Sequence, residues 1–184
     1  MTELLTDRLL LRRWREEDRE PFAQINGDPE VGRWLSGTLD RVASDALLDR
    51  IEASWERDGF GLFAVEVVDG PPLIGFVGLS SPSFDAHFTP AVEIGWRLSP
   101  AAWGRGYATE GALKALEFGF DVVGLDEVVS FTTMMNTAST RVMERIGLHR
   151  DPADDFDHPA LDGHPLQPHV LYRLAASEWR EGRR

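Results

Sequence analysis

Residues 92–110 read Val92-Glu93-Ile94-Gly95-Trp96-Arg97-Leu98-Ser99-Pro100-Ala101-Ala102-Trp103-Gly104-Arg105-Gly106-Tyr107-Ala108-Thr109-Glu110. Apolar and polar residues alternate over 92–98, which predicts a strand. Positions 106–120 predict a helix, because apolar residues share one stripe at Ala108, Ala112, Leu116 and Phe120. Pro100 and the glycines at 104 and 106 interrupt the chain between the two elements. A strand therefore leads through a glycine-containing turn directly into a helix.

Such a turn is suited to a diphosphate. Glycines let backbone N–H groups approach a ligand closely, and the start of a helix adds the positive end of its dipole. The same pattern also fits a tight strand-to-helix turn that binds no ligand, and the turn alone does not separate the two interpretations.

Two other phosphate-binding motifs match the amino-acid sequence of this turn poorly. A P-loop needs Gly-Lys-Ser or Gly-Lys-Thr at the helix start, and no lysine is present there. A dinucleotide-binding fingerprint needs Gly or Ala where Thr109 stands, and an acidic residue at the end of the following strand. Asp126 has nearly the right spacing but precedes its strand.

The rest of the chain mixes strand and helix patterns, with no repeat and no linker, so we expect one domain over 1–184. Residues 151–168 carry four prolines and predict a loop, and the basic end at 180–184 predicts a frayed terminus. We predict strands at 8–14, 62–68, 73–79, 92–98, 128–133 and 170–174, and helices at 16–26, 44–58, 106–120 and 138–146. This order predicts an α/β fold with a mixed sheet flanked by helices.

Composition narrows the functional classes. The chain has 184 residues, 42% hydrophobic, with no apolar run near the ~20 residues that span a bilayer and no basic and apolar secretory signal at its start. It contains no cysteine, which excludes disulfides, thiolate nucleophiles and cysteine-ligated metals and makes the cytoplasm the expected location.

The net charge is strongly negative. With 31 acidic and 19 basic residues the formal charge is −12, which repels phosphate backbones and argues against a nucleic-acid partner. A cationic acceptor such as a protein N-terminus or a polyamine would be attracted, although solubility alone also explains the acidity.

Three segments resemble the GNAT superfamily of N-acetyltransferases. The stretch from Trp103 to Ala108 is similar to the family's Gln/Arg-x-x-Gly-x-Gly/Ala motif for the coenzyme A pyrophosphate, with Trp103 departing at the first position. Residues 136–148 resemble its Asn-x-x-Ser/Ala helix, which ends in Gly-Phe, here Gly-Leu. Residues 6–12, Thr-Asp-Arg-Leu-Leu-Leu-Arg, are similar to the first strand of the ribosomal-protein N-terminal acetyltransferase branch.

This resemblance implies a mostly antiparallel sheet whose fourth and fifth strands splay apart to admit acetyl-CoA. The backbone of Trp96, Arg97 and Leu98 would pair with the pantetheine, and the turn would hold the pyrophosphate. Asn136 and Ser139 would meet the pantetheine near the thioester. The cofactor-binding residues implied are Trp96, Arg97, Leu98, Trp103, Gly104, Arg105, Gly106, Tyr107, Ala108, Thr109, Asn136 and Ser139.

The resemblance also implies direct attack of an amine on the acetyl group. The amine must lose a proton, and Glu93, on the strand beside the splay, is the expected general base, or else a structural carboxylate. A backbone N–H near Leu98 would donate a hydrogen bond to the acetyl carbonyl oxygen as negative charge develops on it. Many family members have a thiol-donating Tyr seven residues after the Asn, where Met143 stands here, so we assign the catalytic hydroxyl to Ser139.

The late loop holds candidate acceptor contacts. Asp157, His158 and His169 lie in or beside it, and we expect them to touch the substrate, with no metal bound because the spacing matches no ligand pattern. A non-catalytic acyl-CoA binder, suggested by Met143, and a nucleotide-binding regulator remain alternatives. The sequence leaves open which amine accepts the acetyl group and whether the chain forms a homodimer.

Overall fold

One mixed sheet of nine strands forms the centre of the molecule. In the computed structural model, which describes residues 2–182, the order is β1-β2-β3-β4-β5-β6-β9-β7, and β8 also pairs with β9. Only β5 and β6 are parallel among these neighbours. The strands are β1 Leu4–Leu5, β2 Leu9–Arg12, β3 Leu62–Val67, β4 Gly75–Ser80, β5 Glu93–Leu98, β6 Glu127–Thr133, β7 His149–Arg150, β8 Phe156–Asp157 and β9 Pro168–Ala175.

In the described part of the chain, six α-helices flank the sheet: α1 Arg19–Asn26, α2 Pro29–Gly32, α3 Arg41–Asp58, α4 Tyr107–Glu117, α5 Thr137–Arg145 and α6 Ala176–Glu181. A π-helical segment, Phe118–Val123, extends α4. Helix α3 begins where the Asp40 side chain accepts a hydrogen bond from the N–H of Ala43, and it ends at Gly59. No helix among the described residues is long and apolar enough to cross a membrane.

The predicted mixed α/β architecture is confirmed, with several short elements added. The sequence did not predict β1, α2, β7, β8 or α6, because elements of two to six residues are too short to show a period. Since β1 precedes the first predicted strand, the predicted fourth and fifth strands are β5 and β6. The end predicted to fray continues α6 through Glu181, and Arg183 and Arg184 lie outside the described residues.

The two faces of the sheet carry different helices. Helix α4 covers one face, where Val77 and Leu9 lie next to Gly111. Helix α1 covers the other face, where Phe22 packs on Phe76 with ring centroids 6.1 Å apart. Alternation along β5 therefore sends Ile94, Trp96 and Leu98 toward α4, and Glu93, Gly95 and Arg97 toward α1.

Arg12 joins the sheet to α1 through a buried ion network. Its side chain is 1% exposed and donates to both carboxylate oxygens of Asp18, at 2.7 and 3.0 Å, and to Glu66 at 2.9 Å. A further bond reaches the carbonyl of Pro72. Hydrogen bonding to Asp18 raises the pKa of Arg12 despite its burial, and Glu66 contributes in the same direction. The guanidinium is therefore charged and fully partnered.

Replacing Asp18 with Ala should destabilise the fold by about 3 kcal/mol, because it removes one partner of a buried charge. Urea denaturation followed by circular dichroism measures the free energy of unfolding. Glu30→Ala is the matched control, since Glu30 pairs with Arg33 on an exposed helix surface and should change stability by less than about 0.5 kcal/mol. A loss below about 1 kcal/mol for Asp18→Ala would contradict this view of the network.

Candidate functional site

Strands β5 and β6 separate after one bridging pair, Glu93 with Val129. The N–H of Val129 donates to the carbonyl of Val92 at 2.9 Å. At the next step the hydroxyl of Ser130, not a backbone N–H, donates to the carbonyl of Ile94 at 2.8 Å. Beyond Ile94 the two strands do not pair, which leaves a V-shaped gap in the sheet. Sequence reasoning missed Ser130, which is buried at the apex of this gap.

Two residues of β5 present backbone groups to the gap. The N–H of Ser99 donates to the carbonyl of Ile74, and hydrogen bonding alternates along an antiparallel pair, so the backbone of Arg97 faces β4. The backbone groups of Trp96 and Leu98 face the gap instead. The expectation for Arg97 changes accordingly: its backbone pairs within the sheet, and its side chain projects toward α1.

The glycine turn after β5 forms an open cradle at the start of α4. Gly104 and Gly106 have φ angles of +71° and +81°, which side-chain-bearing residues rarely adopt. Gly106 is the N-cap of α4 and offers no capping side chain. The first N–H groups of a helix have no partner within it, so those of Tyr107, Ala108 and Thr109 are available to an anion.

Side chains around the cradle hold its entry in place. Trp103, at the position where the family motif has Gln or Arg, donates its indole N–H to the carbonyl of Leu98 at 2.8 Å. Arg105 is exposed and its Nε donates to the carbonyl of Ala101 at 3.1 Å. Neither guanidinium nor indole fills the space above Gly104, where an added Cβ would meet nothing within 4 Å.

Arg8, which is distant from the cradle in the sequence, holds the cradle residues in place. It donates to the carbonyl of Arg105 at 3.0 Å and pairs with Glu110, and its guanidinium lies 4.9 Å from the centre of the Tyr107 ring. Glu110 also accepts from Thr6 at 2.6 Å. Partial burial opposes ionisation of Glu110, but the bonds from Thr6 and Arg8 prevail and lower its pKa. No sequence pattern predicts this contact, because it joins residues about a hundred positions apart.

Asn136 and Ser139 stand at the start of α5, beside the end of β6. The Asn136 side chain caps the helix by accepting from the N–H of Ser139 at 3.2 Å, and it donates to Thr132 at 3.3 Å. The hydroxyl of Ser139 makes no hydrogen bond within the described residues. Met143, one turn further, is 1% exposed and belongs to the core.

Glu93 lies at the apex of the gap with its side chain on the α1 face. Ser80 donates to its carboxylate at 3.5 Å. The residue keeps some solvent access, yet burial in the surrounding protein raises the pKa of Glu93 to about 8, against a smaller lowering by the Ser80 bond. Gly95, the next residue on this face, carries no side chain, so bare backbone adjoins the carboxylate. A carboxyl group that titrates near neutrality suits proton transfer.

An aromatic cluster lines the β6 side of the same face. Phe131 shares the face of Glu93, because Val129 is the strand partner of Glu93 and side chains alternate. Ring centroids lie 4.5 Å apart for Phe84 and His158, and 5.0 Å apart for His158 and His169. The aromatic cluster consists of Phe84, Phe88, Phe131, Phe156, His158 and His169.

The two histidines of the cluster are neutral but differ in tautomer. Burial lowers the pKa of both, and the neighbouring His158 lowers that of His169 slightly further. Nδ1 of His169 lies 2.9 Å from the carbonyl of Gln167 and must donate to it, so its Nε2 is an acceptor. Nδ1 of His158 accepts from the N–H of Ala160, so its Nε2 is a donor. Asp157 is exposed on β8 and stands outside the cluster.

Two further observations delimit the site. A cavity of about 720 Å³ lies away from the gap, where α4, α5 and α6 meet, and it contains neither Glu93 nor the cradle glycines. Within residues 2–182 there is no group of three or more His, Asp or Glu side chains arranged to hold a metal ion.

Comparison with known proteins identifies the family. The family model for the acetyltransferase (GNAT) domain matches residues 8–149. The chain belongs to the GNAT acetyltransferase family. This family transfers acetyl groups from acetyl-CoA to amines, so the protein belongs with the transferases, and among them with the acyltransferases called N-acetyltransferases. The predicted membership is confirmed.

Individual relatives agree. The FsC-acetyl coenzyme A-N(2)-transacetylase of Aspergillus fumigatus is 31% identical over 186 residues, covering 96% of this chain and 77% of the relative. YnaD, an uncharacterised N-acetyltransferase of Bacillus subtilis, is 28% identical over 177 residues, covering 96% and 98%. The crystal structure of ribosomal-protein-S5-alanine acetyltransferase from Vibrio fischeri superposes with a TM-score of 0.77 at 14% identity, covering 97% and 99%. This superposition confirms that the chain has the same fold as a member of the ribosomal-protein branch, as the resemblance predicted.

Replacing Gly106 with Glu should reduce affinity for acetyl-CoA at least about 100-fold, because a carboxylate would enter the cradle and repel a diphosphate. Isothermal titration calorimetry measures the affinity. Gly124→Glu is the matched control: Gly124 has the same φ of +81° and open space around it, but it lies far along the chain from the cradle. Equal affinity of both variants and the native protein would exclude the cradle as a phosphate site.

Proposed function

We propose that this protein transfers the acetyl group of acetyl-CoA directly to a primary amine, with Glu93 as the general base. The observation that carries the proposal is the position of Glu93. Its carboxyl group lies at the apex of the gap, on the face opposite α4, and burial raises its pKa to about 8. A base with that pKa can accept a proton from an ammonium group near physiological pH.

The donor site would follow the gap and the cradle. Acetyl-CoA supplies an acetyl group activated as a thioester. The backbone groups of Trp96 and the N–H of Leu98 would pair with an extended pantetheine as a neighbouring strand does, while the Leu98 carbonyl accepts from Trp103. Residues of the turn and first helical turn, from Trp103 to Thr109, would hold the pyrophosphate, chiefly through backbone N–H groups.

Three groups would act near the thioester. The N–H of Leu98 faces the gap and would donate to the acetyl carbonyl oxygen, where negative charge grows during attack. The unpartnered hydroxyl of Ser139 would donate to the departing sulfur. Asn136 would hold Ser139 in place through the cap of α5 and contact the pantetheine with its second amide N–H.

The acceptor would approach from the α1 face. There the aromatic cluster would form one wall, with His158 and His169 offering one donor and one acceptor, and the exposed Asp157 would contact the acceptor from outside the cluster. The formal charge of −12 would favour approach of a cationic amine. Both a protein N-terminus and a small-molecule amine meet these requirements, and the name of the Aspergillus relative, an N(2)-transacetylase, provides a precedent for N-acetylation within this similarity range.

One observation favours a second function, a non-catalytic acyl-CoA binder. Met143 is buried in the core where many relatives have a thiol-donating Tyr, so one acid found elsewhere in the family is missing. The two functions differ in turnover. The enzyme releases CoA when amines are added, whereas the binder holds acetyl-CoA without amine-dependent release.

Release of CoA from acetyl-CoA should rise above the uncatalysed rate with at least one acceptor from a panel of small amines and short peptides. Ser139→Ala should lower kcat on that acceptor about 10- to 100-fold with little change in acetyl-CoA affinity. Thr137→Ala, on the exposed side of the same helix start, is the control and should match the native protein. Tight acetyl-CoA binding without any amine-dependent release would favour the non-catalytic binder.

Glu93→Gln should lower kcat/KM by about 10²- to 10⁴-fold, since an amide cannot accept the amine proton. Dividing native by variant rates at each pH removes the titration of the acceptor itself. Because the base works when deprotonated, this ratio should rise about tenfold per pH unit below the pKa of Glu93 and level off above about pH 8. Glu127→Gln, an exposed carboxylate on β6, is the control. A ratio independent of pH would remove Glu93 from the role of base.

A further inference from the structure

Arg97 is a poorly solvated guanidinium on the acceptor face. Its Nη1 donates to Oδ1 of Asn26 at 2.6 Å, and Nδ2 of Asn26 donates to Ser44 at 2.8 Å, which fixes the amide orientation. The guanidinium lies 5.4 Å from the centre of the Phe76 ring. Burial lowers the pKa of Arg97 to about 10, which still leaves it charged at neutral pH. Within residues 2–182, the only hydrogen-bond partner of its side chain is this neutral amide.

This lack of a counter-charge sets Arg97 apart. Among residues 2–182, it alone of the arginines that are not exposed has no carboxylate within 4.0 Å. Arg97 keeps some solvent access, whereas Arg12, which is buried beneath α1, has two carboxylate partners. In a chain with 31 acidic residues, an unpaired and desolvated cation is unexpected on stability grounds.

The free edge of Arg97 has the geometry of an anion site. No hydrogen bond within the described residues engages its Nε or Nη2, which together form the side-on edge of the guanidinium. That edge matches the two oxygens of a carboxylate. The pyrophosphate cradle does not compete for it, because the cradle lies at the start of α4 while Arg97 projects toward α1.

Arg97 and Glu93 stand on the same face of one strand with Gly95 between them. Four residues of strand separate their Cα atoms by about 13 Å, and two long side chains shorten the distance between their charged ends. The absent side chain at Gly95 leaves the backbone between them uncovered. A small molecule lying across Gly95 can therefore place an amine near the gap and an anion at Arg97.

We propose that Arg97 binds a carboxylate of the acceptor, and that the acceptor is a small amino acid-like molecule with a primary amine and a carboxylate. This inference rests on the proposed function and narrows its acceptor. The net charge of the protein repels an anion, so one dedicated cation is what lets such an acceptor bind.

The test compares matched acceptors that differ only in the carboxylate: glycine with methylamine, β-alanine with ethylamine, γ-aminobutyrate with propylamine, and phenylalanine with 2-phenylethylamine. The native enzyme should favour the carboxylate-bearing member of at least one pair by about tenfold or more in kcat/KM, as expected for one charge-assisted bidentate contact. The spacer length of the preferred pair reports the distance from the gap to Arg97.

Two variants test whether Arg97 causes the preference for the carboxylate-bearing acceptor. Arg97→Gln should bring the ratio within that pair close to one, and Arg97→Lys should restore part of it, because lysine keeps the charge without the planar edge. A purely structural Arg97 would lower the rates of both members equally and leave the ratio unchanged, which would overturn the inference. Preference for amidated peptides over every amino acid would overturn it as well.

The measurements also distinguish a wrong carboxylate site from a wrong proposed function. If the native protein releases no CoA with any amine, acetyl transfer is excluded, and binding of the same amino acids by calorimetry then decides the role of Arg97 without turnover. Binding to the native protein that is at least about tenfold weaker in Arg97→Gln supports the carboxylate site. Absence of binding by the native protein overturns it.

Discussion

The divergence of β5 and β6 after a single bridging pair is the constraint on which the rest of the site depends. Parallel strands ordinarily continue to pair through backbone groups. Here, directly after the bridging pair, the Ser130 hydroxyl donates to the carbonyl of Ile94 instead of a backbone N–H. Backbone groups of Trp96 and Leu98 are then left without a strand partner inside a sheet. Unpaired backbone groups are costly where water is scarce, so the gap is stable only because solvent or a ligand can reach it. An extended ligand can replace the missing strand.

Buried charge is handled in opposite ways at the two ends of the α1 face. Around Arg12, two carboxylates and a carbonyl satisfy the guanidinium, and the network holds α1 against the sheet. Around Glu93 and Arg97, one hydroxyl and one amide are the only side-chain hydrogen-bond partners among residues 2–182, so burial raises the pKa of Glu93 and lowers that of Arg97. Such unbalanced charges lower stability, and they are expected where the protein reserves its interactions for a substrate.

Sequence patterns predicted the parts of this arrangement that are formed by residues close together in the chain. The strand–turn–helix at 92–117 could be predicted because alternation, two glycines and a helical stripe follow one another, whereas the cap at Asn136 was not predicted because the predicted helix begins at residue 138. The Arg8–Glu110 brace and the Arg97–Asn26 bond join positions 102 and 71 residues apart, and no periodic pattern encodes which partner a long side chain meets. His158 and His169 could be predicted as candidates because histidines in or beside a loop of prolines and carboxylates can act as bases, whereas no sequence pattern singled out the phenylalanines around them.

Alternation along β5 also separates donor recognition from acceptor recognition. Backbone groups at positions 96 and 98 face the gap, and the side chains of Trp96 and Leu98 pack toward α4. Glu93, Gly95 and Arg97 lie on the α1 face of the same strand, where we propose that the acceptor binds. A change at Gly95 or Arg97 can therefore alter which amine fits without disturbing the backbone that receives the pantetheine. The family motif depends on the backbone and its glycines, so it points to the donor site, whereas the acceptor contacts proposed here lie at positions 93, 95 and 97, outside the motif.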